Sequence, residues 1–281
     1  MRDAKRARPE KDLLEGLVHN AWTRLRLSSG GGRVSVNGAA NAFDAAMVGR
    51  RNQGKLAVIA EVKRISPALG ELASGSLDVA AQATRYAFGG ATAVSVLVEP
   101  RFWGGSLQDL SAVRGSIDLP ILAKDVVVDE YQIAEARAAG ADAILLIAEA
   151  LTDDEIRRFR ARAAELSMGA LVEAHEAVAF GRAVECGSPI VGVNARNLRR
   201  PQEIDIGRVR QLHTFVKAGQ MLVAESGIAS ADDVRLLPAR VDAVLVGTAL
   251  MRETDPTPLV RELAAIPRST SSMPAVTVER L

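Results

Sequence analysis

Seven places in the chain set acid, base or hydroxyl side chains directly behind a short apolar run. They are Glu61 and Lys63, Glu99, Lys124 and Asp125, Glu173, Asn194 and Arg196, Glu225 and Ser226, and Gly247 with Thr248. Two lysines and several glutamates gathered at one point make a proton-transfer set. A lysine whose surroundings lower its pKa delivers a proton near neutrality, whereas a glutamate paired with it holds it charged. The sequence does not assign the two lysines. Glu225-Ser-Gly-Ile opens a helix, and Gly247-Thr follows the last apolar run. Backbone N–H groups at glycine turns and helix starts form an anion cradle, to which Ser226 and Thr248 add hydroxyls. The expected ligand is a phosphorylated small molecule. No metal is expected, because His19, His175 and His213 are scattered, without cysteine or carboxylate partners at ligand spacing. Cys186, the lone cysteine, reads as core packing at a helix end. The glycine run at Gly30 lacks the strand-to-helix frame of a phosphate loop.

These residues run from position 61 to position 248, so the fold must gather them. Eight short apolar runs recur at regular spacing: 56–60, 93–98, 120–123, 143–147, 170–172, 190–193, 221–224 and 243–246. Each is too short for a helix and reads as a buried strand. Helical periodicity fills the gaps at 79–88, 130–139, 153–166, 176–185, 206–216 and 231–237. Ser76, Asp129, Thr152, Asp205 and Ser230 stand where N-caps belong, and Gly89, Gly140 and Gly187 where helices stop. Similar segments beginning at Gly89, Gly140, Gly187 and Val241 lie about fifty residues apart, or two strand–helix units. Eight such units predict an α/β fold, a single (β/α)8 TIM barrel with an N-terminal helical extension. An open doubly wound sheet is the alternative, but it seldom carries eight regular units. Barrels of this type do their chemistry at the C-terminal strand ends, where the polar residues above fall. Only the run at 143–147 has no polar candidate before Glu149.

Composition narrows the function classes. The chain has 281 residues, 48% of them hydrophobic, which excludes a disordered protein or a small disulfide scaffold. Thirty-five Lys and Arg against 34 Asp and Glu leave a charge of +1, which argues against nucleic acid or anionic lipid as a partner. Aromatics are only 4%, and a core of Ala, Val and Leu suits parallel strands buried on both faces. No apolar run approaches the roughly 18 residues of a membrane span. The basic start (Arg2, Lys5, Arg6, Arg8, Lys11) reads as a solvated tail, because Lys11, Asp12 and Glu15 break any signal-peptide core. One cysteine fits a reducing cytoplasm. The expected division is a tail and helical extension packed on the barrel over 1–50, the barrel over 51–266, and a loose tail over 267–281. Within the extension, helices are expected at 13–27 and 41–48, with a flexible joint, SSGGG, at 28–32.

At its motifs the chain closely resembles the indole-3-glycerol phosphate synthase family of tryptophan biosynthesis. The segments are AEVKRISP at 60–67, SVLVEPRFWGGSLQDL at 95–110, LPILAKD at 119–125, YQIAEARAAGADAILLIAEAL at 131–151, ALVEAHE at 170–176, GVNARNL at 192–198, AESGI at 224–228 and VLVGTALM at 244–251. The resemblance implies a substrate, 1-(2-carboxyphenylamino)-1-deoxyribulose 5-phosphate, converted to indole-3-glycerol phosphate, carbon dioxide and water without a cofactor. It implies that Lys124 is the general acid and Glu173 the general base. Lys63 would pair with the substrate carboxylate and act as an acid in the dehydration. Glu61 would orient the lysines, while Asn194 and Glu225 position hydroxyls and lysines. Ser66, Ser226, Gly227, Gly247 and Thr248 match positions in or near the phosphate and polar contacts, and Arg196 supports the substrate. The aryl ring needs an apolar slot, for which Trp103, Leu145, Leu198 and Leu245 are the expected walls. A monomer or weak homodimer is expected.

Departures accompany the resemblance. Ala123 and Val126 flank Lys124-Asp125 where the family has arginine and phenylalanine. Leu69 replaces a loop lysine, and Ala195 an asparagine or serine. They open the alternative of a paralog serving an indole-derived natural product. A non-catalytic barrel that binds a phosphorylated ligand or a partner protein is the alternative from another class, though it has no use for Lys63, Lys124 and Glu173 together. Phosphoribosylanthranilate isomerase is a weaker enzyme alternative, since its Cys/Asp pair has no counterpart at Cys186.

Overall fold

The computed structural model describes residues 12–27, 41–66, 69–72 and 77–268. Each of the eight apolar runs becomes a barrel strand: β1 (Ala57–Val62), β4 (Ala93–Leu97), β5 (Ile121–Lys124), β6 (Ala143–Ile147), β7 (Gly169–Ala174), β8 (Ile190–Asn194), β9 (Met221–Glu225) and β10 (Ala243–Val246). All pairings are parallel, and β1 pairs with both β4 and β10, closing the barrel. Every residue of these strands is buried. The reason is geometric. Strand side chains alternate, so Val58, Ala60, Val94 and Val244 meet the surrounding helices, while Ala57, Ile59, Leu145 and Leu245 fill the interior.

The helices follow the strands: α3 (Val79–Gly89), α4 (Leu107–Arg114), α5 (Glu130–Ala138), α6 (Asp153–Glu165), α7 (Ala177–Glu185), α8 (Gly207–Leu212), α9 (Ala231–Arg235), α10 (Thr248–Arg252) and α11 (Thr257–Ala265). Asp129, Thr152 and Ser230 each close a capping box. Other local expectations shift. Asp78 caps α3, and the left-handed stop after it is Gly90 rather than Gly89. The helix expected over 206–216 breaks into α8 and a 3-10 turn at His213–Phe215. A small antiparallel hairpin, β2 (Ile65–Ser66) with β3 (Gly70–Glu71), was not expected; two-residue strands carry no periodic signal.

Two helices precede the barrel, α1 (Leu13–Leu27) and α2 (Ala42–Asn52). They sit at opposite ends. Helix α1 crosses the C-terminal end of the barrel: Asn20 donates to Glu99 behind β4, Arg24 to Asp125 behind β5, and Asp12, just ahead of the helix, accepts from Arg199 behind β8. Helix α2 lies at the other end. Arg50 donates to the Leu56 and Ala264 carbonyls, and Asn41 and Asp44 crowd Gly169 at the start of β7. The joint at 28–32, the cap expected at Ser76, Pro67 and Ala68 of the motifs, the basic stretch through Lys11 and the tail beyond Arg268 fall outside the described residues.

Candidate active site

Register decides what reaches the mouth. Interior positions near the strand ends are Glu61 on β1, Lys124 on β5, Glu173 on β7, Asn194 on β8 and Glu225 on β9; pairing sets Leu97 beside Lys124, Ile147 beside Glu173 and Asn194 beside Glu225. Room for these long side chains comes from two glycines. A Cβ on Gly192 would stand 2.2 Å from Glu225 Oε1, and one on Gly247 would stand 2.3 Å from Glu61 Oε1 and 3.0 Å from Lys63 Nζ.

The side chains converge on one ammonium. Lys124 Nζ lies 2.9 Å from Glu225 Oε2, 3.5 Å from Glu61 Oε2 and 3.7 Å from Glu173 Oε2. Glu61 bridges to the second lysine, with Lys63 Nζ 2.6 Å from Oε1. Asn194 Nδ2 reaches Glu173 Oε1 at 3.3 Å, and Asn194 Oδ1 accepts from Ser226 Oγ at 2.9 Å and from the Arg196 N–H at 3.0 Å.

Burial and charge compete throughout. Burial pulls the Lys124 pKa down, but the carboxylates of Glu225, Glu173 and Glu61 outweigh it and hold the value above that of ordinary lysine. Burial pushes Glu61 up, yet Lys63 and Lys124 bring it below the ordinary carboxylate value. Glu225 goes the other way: burial and the neighbouring Glu173 raise it well above that range despite Lys124. Burial lowers the Arg196 pKa, against the pull of Glu61.

A cavity of about 510 Å³ opens over this cluster. It is lined by Glu61, Lys63, Trp103, Lys124, Leu145, Glu173, Asn194, Arg196, Leu198, Ser226, Gly227, Leu245, Gly247 and Thr248. Ser226 and Gly227, with φ of 67° and 76°, place two consecutive left-handed residues on the cavity wall. Two expected residues are not on the wall. Glu225 is fully buried beneath it, against Lys124, and Ser66 is buried in β2 with its hydroxyl unpartnered. Glu99 and Asp125, both behind strands, turn to α1 instead. His175 Nδ1 sits 2.9 Å from the Asn194 carbonyl oxygen. Glu149 accepts from the backbone N–H groups of His175 and Glu176, so it holds the end of β7 rather than entering the cavity.

Sequence reasoning missed Gln202 and Ile204 from the loop after β8, Arg252 on α10, and the placement of α1. Arg252, one turn beyond Gly247-Thr, had a usable signal; the loop residues had none. Among the departures, Val126 and Ala195 are buried, and Leu69 lines the cavity rim. Ala123 faces outward, into a separate cavity of about 190 Å³ bordered by Arg24 and Asp125.

Fold and site together define a (β/α)8 barrel whose C-terminal mouth holds a buried acid–base cluster. Solved structures share that architecture: ligand-free tryptophan synthase from M. tuberculosis superposes with a TM-score of 0.59 at 17% identity, over 80% of this chain and 98% of that one. A 3-hexulose-6-phosphate synthase gives 0.57 at 17% identity, over 75% and 98%. At such identity the likeness is one of fold. Sequence comparison is more specific. The family model for indole-3-glycerol phosphate synthase matches residues 20–263. The indole-3-glycerol phosphate synthase of Nocardioides sp. is 50% identical over 212 residues, 74% of this chain and 80% of that one. That of Laribacter hongkongensis is 44% identical over 216 residues, 76% and 81%. The chain belongs to the indole-3-glycerol phosphate synthase family.

Proposed function

We propose that the chain closes an indole ring, converting 1-(2-carboxyphenylamino)-1-deoxyribulose 5-phosphate to indole-3-glycerol phosphate, carbon dioxide and water, as a carboxy-lyase of tryptophan biosynthesis. One observation carries the reading: Lys63, Glu61 and Lys124 form a continuous chain of ion pairs, with Glu173 and Glu225 on the far side of Lys124.

Lys124 is the general acid. The ring carbon that bears the carboxylate attacks the ribulose carbonyl, and the oxygen takes the electron pair and the Lys124 proton. Three carboxylates keep that proton in place until the ring closes. The alkoxide that forms is a stronger base than a lysine amine, so transfer then runs downhill. Carbon dioxide leaves with cleavage of the ring–carboxylate bond, whose electrons restore aromaticity. Dehydration needs a base for one proton and an acid for the departing hydroxyl. Glu173, held by Asn194, is the base, and Lys63 the acid, after pairing with the substrate carboxylate. Glu61 and Glu225 orient the lysines.

Ser226, Gly227, Gly247 and Thr248 cradle the phosphate, and Arg196 stands beside the substrate. Trp103, Leu145, Leu198 and Leu245 hold the aryl ring. No step requires a cofactor. The same reading makes the protein cytoplasmic and a monomer or weak homodimer, with residues 1–50 an extension, 51–266 the barrel and 267–281 a tail. Among the described residues no helix is long and apolar enough to cross a membrane.

The test is direct. Purified protein is mixed with the carboxyphenylamino-deoxyribulose phosphate, and indole fluorescence is followed. Turnover is expected, with a fall of at least about 10²-fold in Lys124→Ala. Unchanged turnover in that variant removes Lys124 from its role. Tight ligand binding without turnover in the parent protein favours a binding barrel instead.

A further inference from the structure

Glu99, behind β4, is a fully buried carboxylate with no ion-pair partner among the described residues. Four N–H donors replace the cation. Oε1 accepts from Asn20 Nδ2 of α1 at 2.5 Å and from the Arg101 backbone at 3.0 Å. Oε2 accepts from the Phe102 and Trp103 backbones at 2.6 and 3.2 Å. The Glu99 carbonyl also closes the loop by accepting from the Gly105 N–H at 3.0 Å. Gly105 cannot be replaced without displacing β4, since a Cβ there would stand 2.0 Å from the Leu97 oxygen. Trp103 is therefore fixed at its own backbone N–H, and it is a wall of the main cavity. A second contact joins the same loop to α1: the Phe102 ring fills the space left by Gly16, 3.1 Å from where a Cβ would be.

We propose that Glu99 is a positioning residue that sets Trp103 against the aryl ring of the substrate, and that Asn20 makes α1 part of this lock. The inference rests on the substrate assignment above for its kinetic consequences, but not for its structural ones. A buried carboxylate that collects four donors orders a loop more strictly than an amide, because an amide offers one acceptor atom and turns a donor toward one pair of N–H groups. Asn20 contributes one donor of the four, so its loss loosens the lock without dismantling the loop.

Two measurements on the full chain test this. In a Trp22→Phe background the only tryptophan is Trp103, so its emission reports the wall with no substrate present. Glu99→Gln is expected to shift emission to the red and at least double acrylamide quenching, while far-ultraviolet circular dichroism keeps the parent helix content. Asn20→Ala is expected to do the same to a smaller degree, and guards against a Glu99 variant that fails to fold. Unchanged emission and quenching in Asn20→Ala and in folded Glu99→Gln overturns the lock, whatever the protein's activity.

The second measurement is kinetic. Glu99→Gln is expected to raise KM about tenfold with kcat within threefold of the parent, and to leave competitive inhibition by inorganic phosphate unchanged. In a Trp103→Ala background the same substitution should add little to KM. A kcat loss at constant KM, weaker phosphate inhibition, or full additivity with Trp103→Ala overturns the proposal. A parent that turns over no substrate defeats the functional reading and leaves the fluorescence outcome to decide the lock.

Discussion

At Lys124 two large effects oppose each other, and the carboxylates win. The resting cluster keeps its acid loaded, and burial with the neighbouring Glu173 raises the Glu225 carboxyl well above the ordinary range. Glu225 has a raised pKa, so its proton is present at low pH and lost as pH climbs through that raised value. Ionised, it adds negative charge beside Lys124 and opposes an anionic substrate at the mouth. KM is therefore expected to rise along this basic limb, and Glu225→Gln, which stays neutral, should flatten it. A limb that persists unchanged in Glu225→Gln, in KM measured across the pH range in which the protein stays folded, assigns it to another group. Most of these side chains were legible one by one, because each follows an apolar run. Their pairing was not. That Glu61 spans both lysines, and that Gly192 and Gly247 exist to make room, depends on distances across strands far apart in sequence.

Helices α1 and α2 look alike as sequences, since each is a short amphipathic segment, yet one lies at the mouth and the other at the opposite end. An apolar stripe says that a helix packs, not where. Helix α2 carries a cost at its own end of the barrel. Asp44 is half-buried, its Oδ1 has no hydrogen-bond partner, and desolvation raises its pKa from 3.8 to about 6, with Asn41 and Arg160 opposing. For an acid raised in this way, the native state favours the protonated form. The contribution to stability is complete below the unfolded value and is lost as pH rises through about 6. Asp44→Asn is thus expected to raise the unfolding free energy at pH 8 by about 1–3 kcal/mol, because each tenfold difference in proton affinity between the folded and unfolded chain is worth about 1.4 kcal/mol. Near pH 3.5 it should have almost no effect. Urea melts at the two pH values check this, and an equal gain at both would assign the effect to packing instead of charge. The hairpin β2–β3 was invisible for a related reason: two-residue strands have no period to read.

Across the molecule the formal charge is only +1, so the far field is weak and attraction for an anionic substrate belongs to the mouth. At ordinary salt the screening length is about 8–10 Å, which reaches little beyond such a cavity. We expect kcat/KM to fall less than about threefold between about 50 and 500 mM potassium chloride. A steeper fall would reveal a longer-range field that these buried pairs do not supply. The sequence by itself determined the closed barrel and the ring of polar residues behind its strands. Strand burial, helix caps and glycine stops are local rules, and eight repeats leave few ways to close. Tertiary structure alone decided which carboxylate meets which ammonium, that Glu99 and Asp125 turn to α1, and that the two leading helices part to opposite ends. Those outcomes depend on contacts between segments distant along the chain, where small differences in angle and reach select the partner.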